Sequence, residues 1–507
     1  MRQINLHQLF NPNNICVIGA SNKQNKVGAQ VVTNLIACNY QRDIYPINPN
    51  HEKLFGLKAY SNLKEIPGEL DLAIITIPNF KVPAVLEECI EQNVKFAVII
   101  TAGFGEMAGY DTIGLKLKEE ILRLLKKGDI RVVGPNCMGI ACTESNLVGE
   151  MGFGFPPARR KINASIVSQS GTWGITTLRS GTIHGLGFSK FVSSGNEIDL
   201  KFEDYLKYFG IDPDTQIILG FIEGLRKGRE FIEVVKKIEK PIILIKGGKT
   251  KSGRETAKSH TGSLTGSQEL YEAVFTQHGV IEVSTMTELV DMGRAFTQCL
   301  SYDPPKFPRG RRVGLMGGGG GFCVLMADQA ESEGLVLAPL DPSTIEKLSQ
   351  LLPPYWPHRN PVDLVASWEV GSYSKVIKIL LDDPNIDAVI ARPAIGFSLI
   401  YDNKDFEEFA KNNPNTALGV SKDIMKSFDF SMVQTIARIA QKSSKPLILP
   451  LGFYTAEAPI QYGIVRKFIN QGVLVAPSGQ AAARILFKLH EYYEYKQKLA
   501  EKKSTRS

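Results

Sequence analysis

Short apolar runs separated by amphipathic stretches recur along this chain. Ile15–Ile18, Asp43–Ile47, Leu72–Ile77, Phe96–Thr101 and Arg131–Val133 come first, each three to six residues long and followed by a polar or glycine-containing segment. Brief apolar strands alternating with helical stretches predict a parallel sheet covered on both faces. The alternation resumes at Ile162–Val167, Ile217–Gly224 and Pro241–Ile245. It starts a third time after the proline-rich segment Tyr302–Gly310, which reads as a linker. There Arg311–Met316 is a strand, Gly317–Gly321 a five-glycine turn and Phe322–Ser332 a helix. Asp387–Ala391 and Pro446–Leu449 are later strands, Pro353–Pro361 is an irregular loop, and a last helix follows Ser478. The pattern predicts an α/β protein of three doubly wound units at residues 1–150, 151–303 and 304–507.

Composition supports that division and removes some classes of function. A length of 507 residues exceeds what one core serves and suggests about three domains. The net charge of +7 is thinly spread, and its densest run is Lys496 to Arg506. No helix-turn-helix, zinc or aromatic RNA-binding signature accompanies it, so nucleic acid is not an expected partner. The seven cysteines form no Cys-x-x-Cys pair and no disulfide-like framework, as in reduced, buried thiols. Residues Met1–Phe10 lack the apolar core of a signal peptide, and no apolar run approaches membrane-spanning length. The expectation is a cytoplasmic protein with no membrane partner and no metal site of its own.

Candidate chemistry gathers where the strands end, since open parallel sheets bind ligands at their carboxyl edges. The first unit offers Gly19-Ala-Ser21, Ile77-Pro-Asn79, Thr101-Ala-Gly-Phe104 and Gly134-Pro-Asn-Cys137 there. A nicotinamide cofactor fits poorly. The first loop, Gly19 to Gly28, is not Gly-x-Gly-x-x-Gly, and Asn48-Pro-Asn50 places no acid for a ribose hydroxyl. Lys23, Lys26 and Lys53 put positive charge near that edge, which suits a phosphate-rich ligand and equally suits ordinary solvated loops. In the second unit, Ser168-Gln-Ser-Gly171 sets free amides at a helix start, where an anion can bind. Further on, Lys258 to Ser267 surrounds His260 with Ser, Thr and Gly. That composition suits a surface loop, and it also suits a neutral imidazole nucleophile among phosphate-binding amides.

Taken together, Val17-Ile-Gly-Ala-Ser21, Asn48-Pro-Asn50, Gly134-Pro-Asn-Cys137, Ser168-Gln-Ser-Gly171, Ser259-His-Thr-Gly262 and Asn360-Pro-Val-Asp-Leu364 resemble the nucleoside-diphosphate-forming acyl-CoA synthetases. That family includes ADP-forming acetyl-CoA synthetases and, more distantly, succinyl-CoA synthetase. The resemblance covers nearly the whole chain in the order of an α subunit. It implies a Rossmann-like CoA-binding domain followed by two flavodoxin-like domains. It also implies that an acyl-CoA and phosphate give an acyl phosphate and CoA, after which His260 carries the phosphoryl group to a nucleotide. On the resemblance, Glu223 steadies His260, and Ser168, Ser170, Gly171, Gly319, Gly320 and Gly321 bind phosphate. CoA contacts fall to Gly19, Ser21, Lys26, Pro78 and Asn136. The glycine turn departs from the Asn-containing turn of relatives.

No segment resembles the ATP-grasp domain that holds ATP/ADP (or GTP/GDP) with Mg2+. The resemblance therefore implies a separate ATP-grasp β subunit in an αβ or α2β2 complex. A CoA-dependent acyltransferase and a non-catalytic CoA-binding protein on the same scaffold are the competing readings. Trp173, Tyr355, Trp356, His358 and Trp368 either line an acyl pocket or pack. The sequence leaves the acid, the nucleotide and the physiological direction open.

Overall fold

The computed structural model describes residues 5–106, 112–152, 158–261, 267–365, 370–392, 395, 398, 404–413, 421–451 and 463–505, without the side chains of 257–261, 370 and 463–465. They form two compact units, Met1–Gly293 and Arg294–Ser507.

The first unit contains two large sheets. The first sheet comprises β1 (Asn14–Ile18), β2 (Asp43–Ile47), β5 (Leu72–Ile75), β6 (Phe96–Ile99) and β7 (Arg131–Val133), and a hairpin of β3 (Lys53–Leu54) and β4 (Leu57–Lys58) stands apart. Its order is β2-β1-β5-β6-β7, with every pairing parallel. Every residue of β5 and β6 is buried, which explains why these runs show no polar alternation. Each such Ile, Leu, Val or Phe contributes roughly 1.5–3 kcal/mol by leaving water.

The second sheet is built from β8 (Gly139–Cys142), β9 (Leu147–Glu150), β10 (Asn163–Ser168), β11 (Gly187–Ser193), β12 (Ile217–Ile222), β13 (Ile242–Lys246) and β14 (Val280–Val283). The order is β14-β13-β12-β10-β11-β8-β9. The five strands from β10 onward are parallel, whereas β8 and β9 add an antiparallel edge. The chain thus joins the second sheet before residue 150. The two sheets are tied along residues 194–200, which run beside the end of β7. Leu200, Ile198 and Asn196 donate their backbone N–H to the carbonyls of Val132 (3.2 Å), Gly134 (3.0 Å) and Pro135 (2.9 Å). Arg131 grips Asp199 through Nε (2.8 Å) and Nη2 (2.9 Å). A two-point pair of this kind fixes orientation as well as attraction.

In the second unit, β15 (Arg312–Gly317), β16 (Val336–Leu337), β17 (Val362–Asp363), β18 (Ala388–Ala391), β19 (Leu447–Pro450) and β20 (Leu474–Ala476) form a sheet of order β16-β15-β18-β19-β20, with β17 paired to the end of β15. Asn360 replaces missing strand contacts. Its amide donates to the carbonyls of Val313 (2.7 Å) and Ala338 (2.9 Å), and its oxygen accepts from the Leu315 N–H (2.9 Å).

Counting only the five main parallel strands of each sheet, all three share one order: second, first, third, fourth, fifth. The switch points lie between β1 and β5, β10 and β12, and β15 and β18. In each case small residues fill the turn after the first strand and the helix start that follows it: Gly19–Ser21, Ser170–Gly171 and Gly318–Gly321. Among the described residues, no helix is long and apolar enough to cross a membrane.

Candidate functional site

At the first switch point the backbone closes on itself. Gly19 has φ +91°, and a Cβ there would stand 2.9 Å from both Thr76 Oγ1 and Ile77 Cγ2. Gly28, in the helix Val27–Ala37, is closer still: its Cβ would meet the Gly19 carbonyl oxygen at 2.1 Å. The helix start can approach the turn only because neither residue carries a side chain. Asn48 pins the same turn by donating from Nδ2 to the Ala20 carbonyl (2.7 Å). Ser21 Oγ accepts the Lys23 N–H (3.2 Å), and Lys26 precedes the helix as an exposed N-cap without a side-chain cap bond. Pro78 lies exposed beyond β5 on this edge.

Between the first and second sheets lies a cavity of about 390 Å³. Thr76, Ile100, Thr101 and Asn136 line it from the first sheet's edge, and Gln169, Ser170, Gly171 and Asn196 from the second sheet's loops. The fourteen described lining residues carry no charged side chain. Asn136 sits there in a left-handed conformation (φ +57°), after the cis peptide Gly134–Pro135, and reaches Asn196 Oδ1 at 3.3 Å. Ser170 is the N-cap of the helix Gly171–Ile183 and contributes no side-chain cap bond, leaving the first-turn amides aimed at the cavity end. Gly171 is packed so tightly that a Cβ would stand 2.4 Å from Met138. Ser168 does not face this space. Its hydroxyl is buried and donates to the Ser170 carbonyl (2.6 Å). Cys137 also lines the cavity, but burial pushes its thiol up to about 12, so it stays a protonated thiol.

Glu223 ends up at the second switch point, just past β12, held by groups that sequence reasoning did not single out. The Gln169 side-chain oxygen accepts the N–H of Glu223 (2.6 Å) and of Gly224 (3.2 Å). Its amide nitrogen donates to the Gly224 carbonyl (2.9 Å) and to Glu197 Oε1 (3.2 Å). Lys246 Nζ donates to the Glu223 carbonyl (2.9 Å) and lies 4.8 Å from the Tyr271 ring. The Tyr271 hydroxyl accepts the Leu225 N–H (2.9 Å). Burial lowers the Lys246 ammonium to about 8, opposed by the neighbouring Glu223 carboxylate. Burial likewise raises Glu197 to about 7, against the Ser194 hydroxyl that donates to it at 2.8 Å. Gln169 lay unassigned within its motif because an uncharged amide in a turn carries no pattern. Lys246 had a signal, since it closes an otherwise apolar run.

Other expectations change. The backbone of His260 is in the last turn of the helix Lys251–Thr261 rather than a loop, and its side chain lies outside the described residues, as do residues 262–266. The five-glycine turn is shorter than five residues. Gly317 ends β15, Gly319 is the N-cap, and Gly320 and Gly321 already belong to the helix Gly320–Ser332. A Cβ on Gly320 would lie 3.2 Å from the Asp363 carboxylate, and the Arg392 guanidinium rests 3.4 Å from the Phe322 ring centre. Trp356 is 1% exposed and belongs to the second unit's core, with Nε1 on Ser349 Oγ (3.1 Å), so it packs rather than lines a pocket. The His358 ring lies tilted against Trp356, Tyr355 is exposed, and Trp173 stacks on Phe221. Trp368 lies outside the described residues.

Three family models match in succession: a CoA binding domain over residues 13–143, a succinyl-CoA ligase-like flavodoxin domain over 161–296, and a ligase-CoA domain over 313–433. The α subunit of ADP-forming acetate–CoA ligase II from Pyrococcus furiosus is 44% identical over 389 residues, which is 76% of this chain and 82% of that protein. The chain belongs to the ADP-forming acyl-CoA synthetases. Another member, the ADP-forming 4-hydroxybutyrate–CoA ligase of Nitrosopumilus maritimus, is 33% identical over 78% of this chain but only 55% of its own length. The fold agrees with the family. The acetyl-coenzyme A synthetase 1 of Candidatus Korarchaeum cryptofilum, solved with phosphate and ADP, aligns with a TM-score of 0.80 at 28% identity, covering 98% of this chain and 99% of that one.

Proposed function

We propose that this synthetase is the α subunit of an acid–CoA ligase that interconverts acyl-CoA, phosphate and ADP (or GDP) with acid, CoA and ATP (or GTP). A phosphate oxygen attacks the thioester carbonyl carbon, and the thiolate leaves as CoA. The His260 imidazole then attacks phosphorus of the acyl phosphate, releasing the carboxylate. The phosphohistidine finally donates its phosphoryl group to the nucleoside diphosphate, held with Mg2+ on an ATP-grasp partner subunit.

The observation that carries this reading is the cavity where Asn136 meets the helix start at Ser170–Gly171. A thioester and phosphate need an uncharged, water-poor space with donors already aimed at developing oxyanions. The first-turn amides, with about half a positive charge from the helix dipole, supply them. The Gly19–Gly28 closure fits a ligand diphosphate approaching bare backbone, with Ser21, Lys26 and Pro78 along the same edge. Glu223, fixed by Gln169 and Lys246, is the carboxylate assigned to orient the histidine ring. That role needs a rigid peptide behind it.

Incubating the chain and its partner with labelled phosphate and a panel of acyl-CoAs tests the reading. An acid-labile, base-stable label is expected in wild type and lost in His260→Ala, and the acyl-CoA that supports labelling identifies the acid. Equal labelling of His260→Ala, or none in wild type with any acyl-CoA, removes the ligase reading in favour of acyl transfer or CoA binding alone.

A further inference from the structure

We infer that Gln169 is a positioning residue for the phosphoryl-transfer step: its amide locks the Glu223–Gly224 turn to the second sheet, with Glu197 setting which way that amide faces. The inference rests on the functional reading above, because it acts through Glu223.

A side-chain amide has two N–H groups and one strongly accepting oxygen, and here all are used. The oxygen takes two successive backbone N–H groups, Glu223 and Gly224. The nitrogen gives one hydrogen to the Gly224 carbonyl and the other to Glu197. The Gly224 peptide is thus held at both ends by one side chain, and the Glu223 peptide is held by Gln169 on one side and Lys246 on the other. Glu197 matters because an amide can flip. With the amide reversed, its oxygen would face the Glu197 carboxyl and the Gly224 carbonyl, and its N–H groups would face two N–H donors. Only one orientation satisfies all four partners. Glu197 is itself fixed by a left-handed backbone (φ +52°) and by the Ser194 hydroxyl. Gln169 also borders the cavity, so the brace runs from the space assigned to acyl phosphate to the turn that carries Glu223.

The assembled enzyme with its partner subunit provides the test, read as the single-turnover rate of His260 labelling beside the KM for CoA. In Gln169→Glu, the new carboxylate still accepts the two N–H groups, but it meets the Gly224 carbonyl with no hydrogen to give and Glu197 with at most one proton shared between two carboxyls. Labelling is expected to slow by about 100-fold with KM for CoA within about threefold, since leaving buried polar groups mismatched acts on the turn rather than on CoA. Adding Glu197→Gln supplies an amide hydrogen to the carboxylate introduced at position 169, and the double variant is expected to recover about tenfold or more. Labelling of Gln169→Glu within about threefold of wild type, a parallel loss in KM, or no recovery in the double variant overturns the inference. If Gln169→Glu does not fold, the double variant decides alone: a rate within about 30-fold of wild type supports the brace, and a slower one overturns it. Absence of label in wild type instead rejects the functional reading itself, and this inference with it.

Discussion

Single residues in this chain carry protons and close contacts that their neighbours force on them. Glu150 ends β9 with a fully buried side chain, and burial pushes its carboxyl up to about 8 although the Arg179 guanidinium lies 3.7 Å away. Desolvation outweighs that pairing, whose charge and hydrogen bonding pull the carboxyl the other way. The folded protein therefore keeps a proton that the unfolded chain releases near 4.5. Between those values the native state binds more protons, so this group's contribution to stability is fullest in acid and is lost as pH rises toward 8. Glu150→Gln, which does not titrate, should raise Tm at pH 8 by about 2–4 °C per kcal/mol recovered and should gain little at pH 5. An equal gain at both pH values would show that ionisation is not the cause. Gly28 makes the second residue-scale case. Gly28→Ala places a methyl group on the Gly19 carbonyl and must open the turn. CoA affinity, measured by calorimetry, is expected to fall about tenfold or more, and a change under about twofold would dissociate this turn from CoA binding.

Whole elements are placed by where their small residues fall. The helix Gly171–Ile183 lies on β10 and β11 through Gly174 and Gly181, whose Cβ atoms would come within 2.7 Å of Ser168 and 2.6 Å of Phe188. These two glycines set the depth of the helix and so the position of its first-turn amides at the cavity. Gly174→Val should lift the helix. The expected result is a rise in the KM for phosphate of about tenfold with little change for CoA, measured in the steady state with the partner present. Equal rises for both substrates would point to general loosening. The same scale explains what the sequence could and could not reveal. The five runs of the first sheet are legible because each carries a short apolar stretch and ends at a glycine, proline or polar turn. The seven-residue β11 is hidden, because Lys190 interrupts its apolar run. That lysine is fully buried and paired with Asp212 at 2.8 Å, a partner 22 residues away that no local pattern reveals. The helix around His260 is hidden for a similar reason. Ser259, Thr261 and the Gly262 that follows are weak helix formers, so Lys258–Thr261 reads as the start of a loop although its backbone is helical. Gln169 is joined to Glu197 and Gly224 by contacts spanning 28 and 55 residues, which no local pattern reveals.

At the scale of the whole molecule, one topology is used three times, and each copy places a small-residue turn after its first strand at a switch point. Under the proposed function the first turn serves CoA and the second serves phosphate at the cavity. The nucleotide is left to the partner subunit. The division makes the half-reactions separable. With acyl-CoA and labelled phosphate, the isolated chain should acquire label on His260, since thioester, phosphate and histidine all fall to its own residues. The nitrogen–phosphorus bond keeps a high transfer potential, so the label should persist until an acceptor is correctly placed. ADP alone should therefore leave the label in place, and ADP with the partner subunit should discharge it as ATP within seconds to minutes. The measurement is the fraction of label on protein and on nucleotide after each addition. Discharge by ADP without the partner would place nucleotide binding within this chain and undo the proposed division of labour, while leaving the histidine chemistry intact. Retention of label with both present would mean that the partner does not supply the acceptor site. Either result would locate the error in the assignment of subunits, because the acyl-CoA half-reaction is read separately by the labelling step.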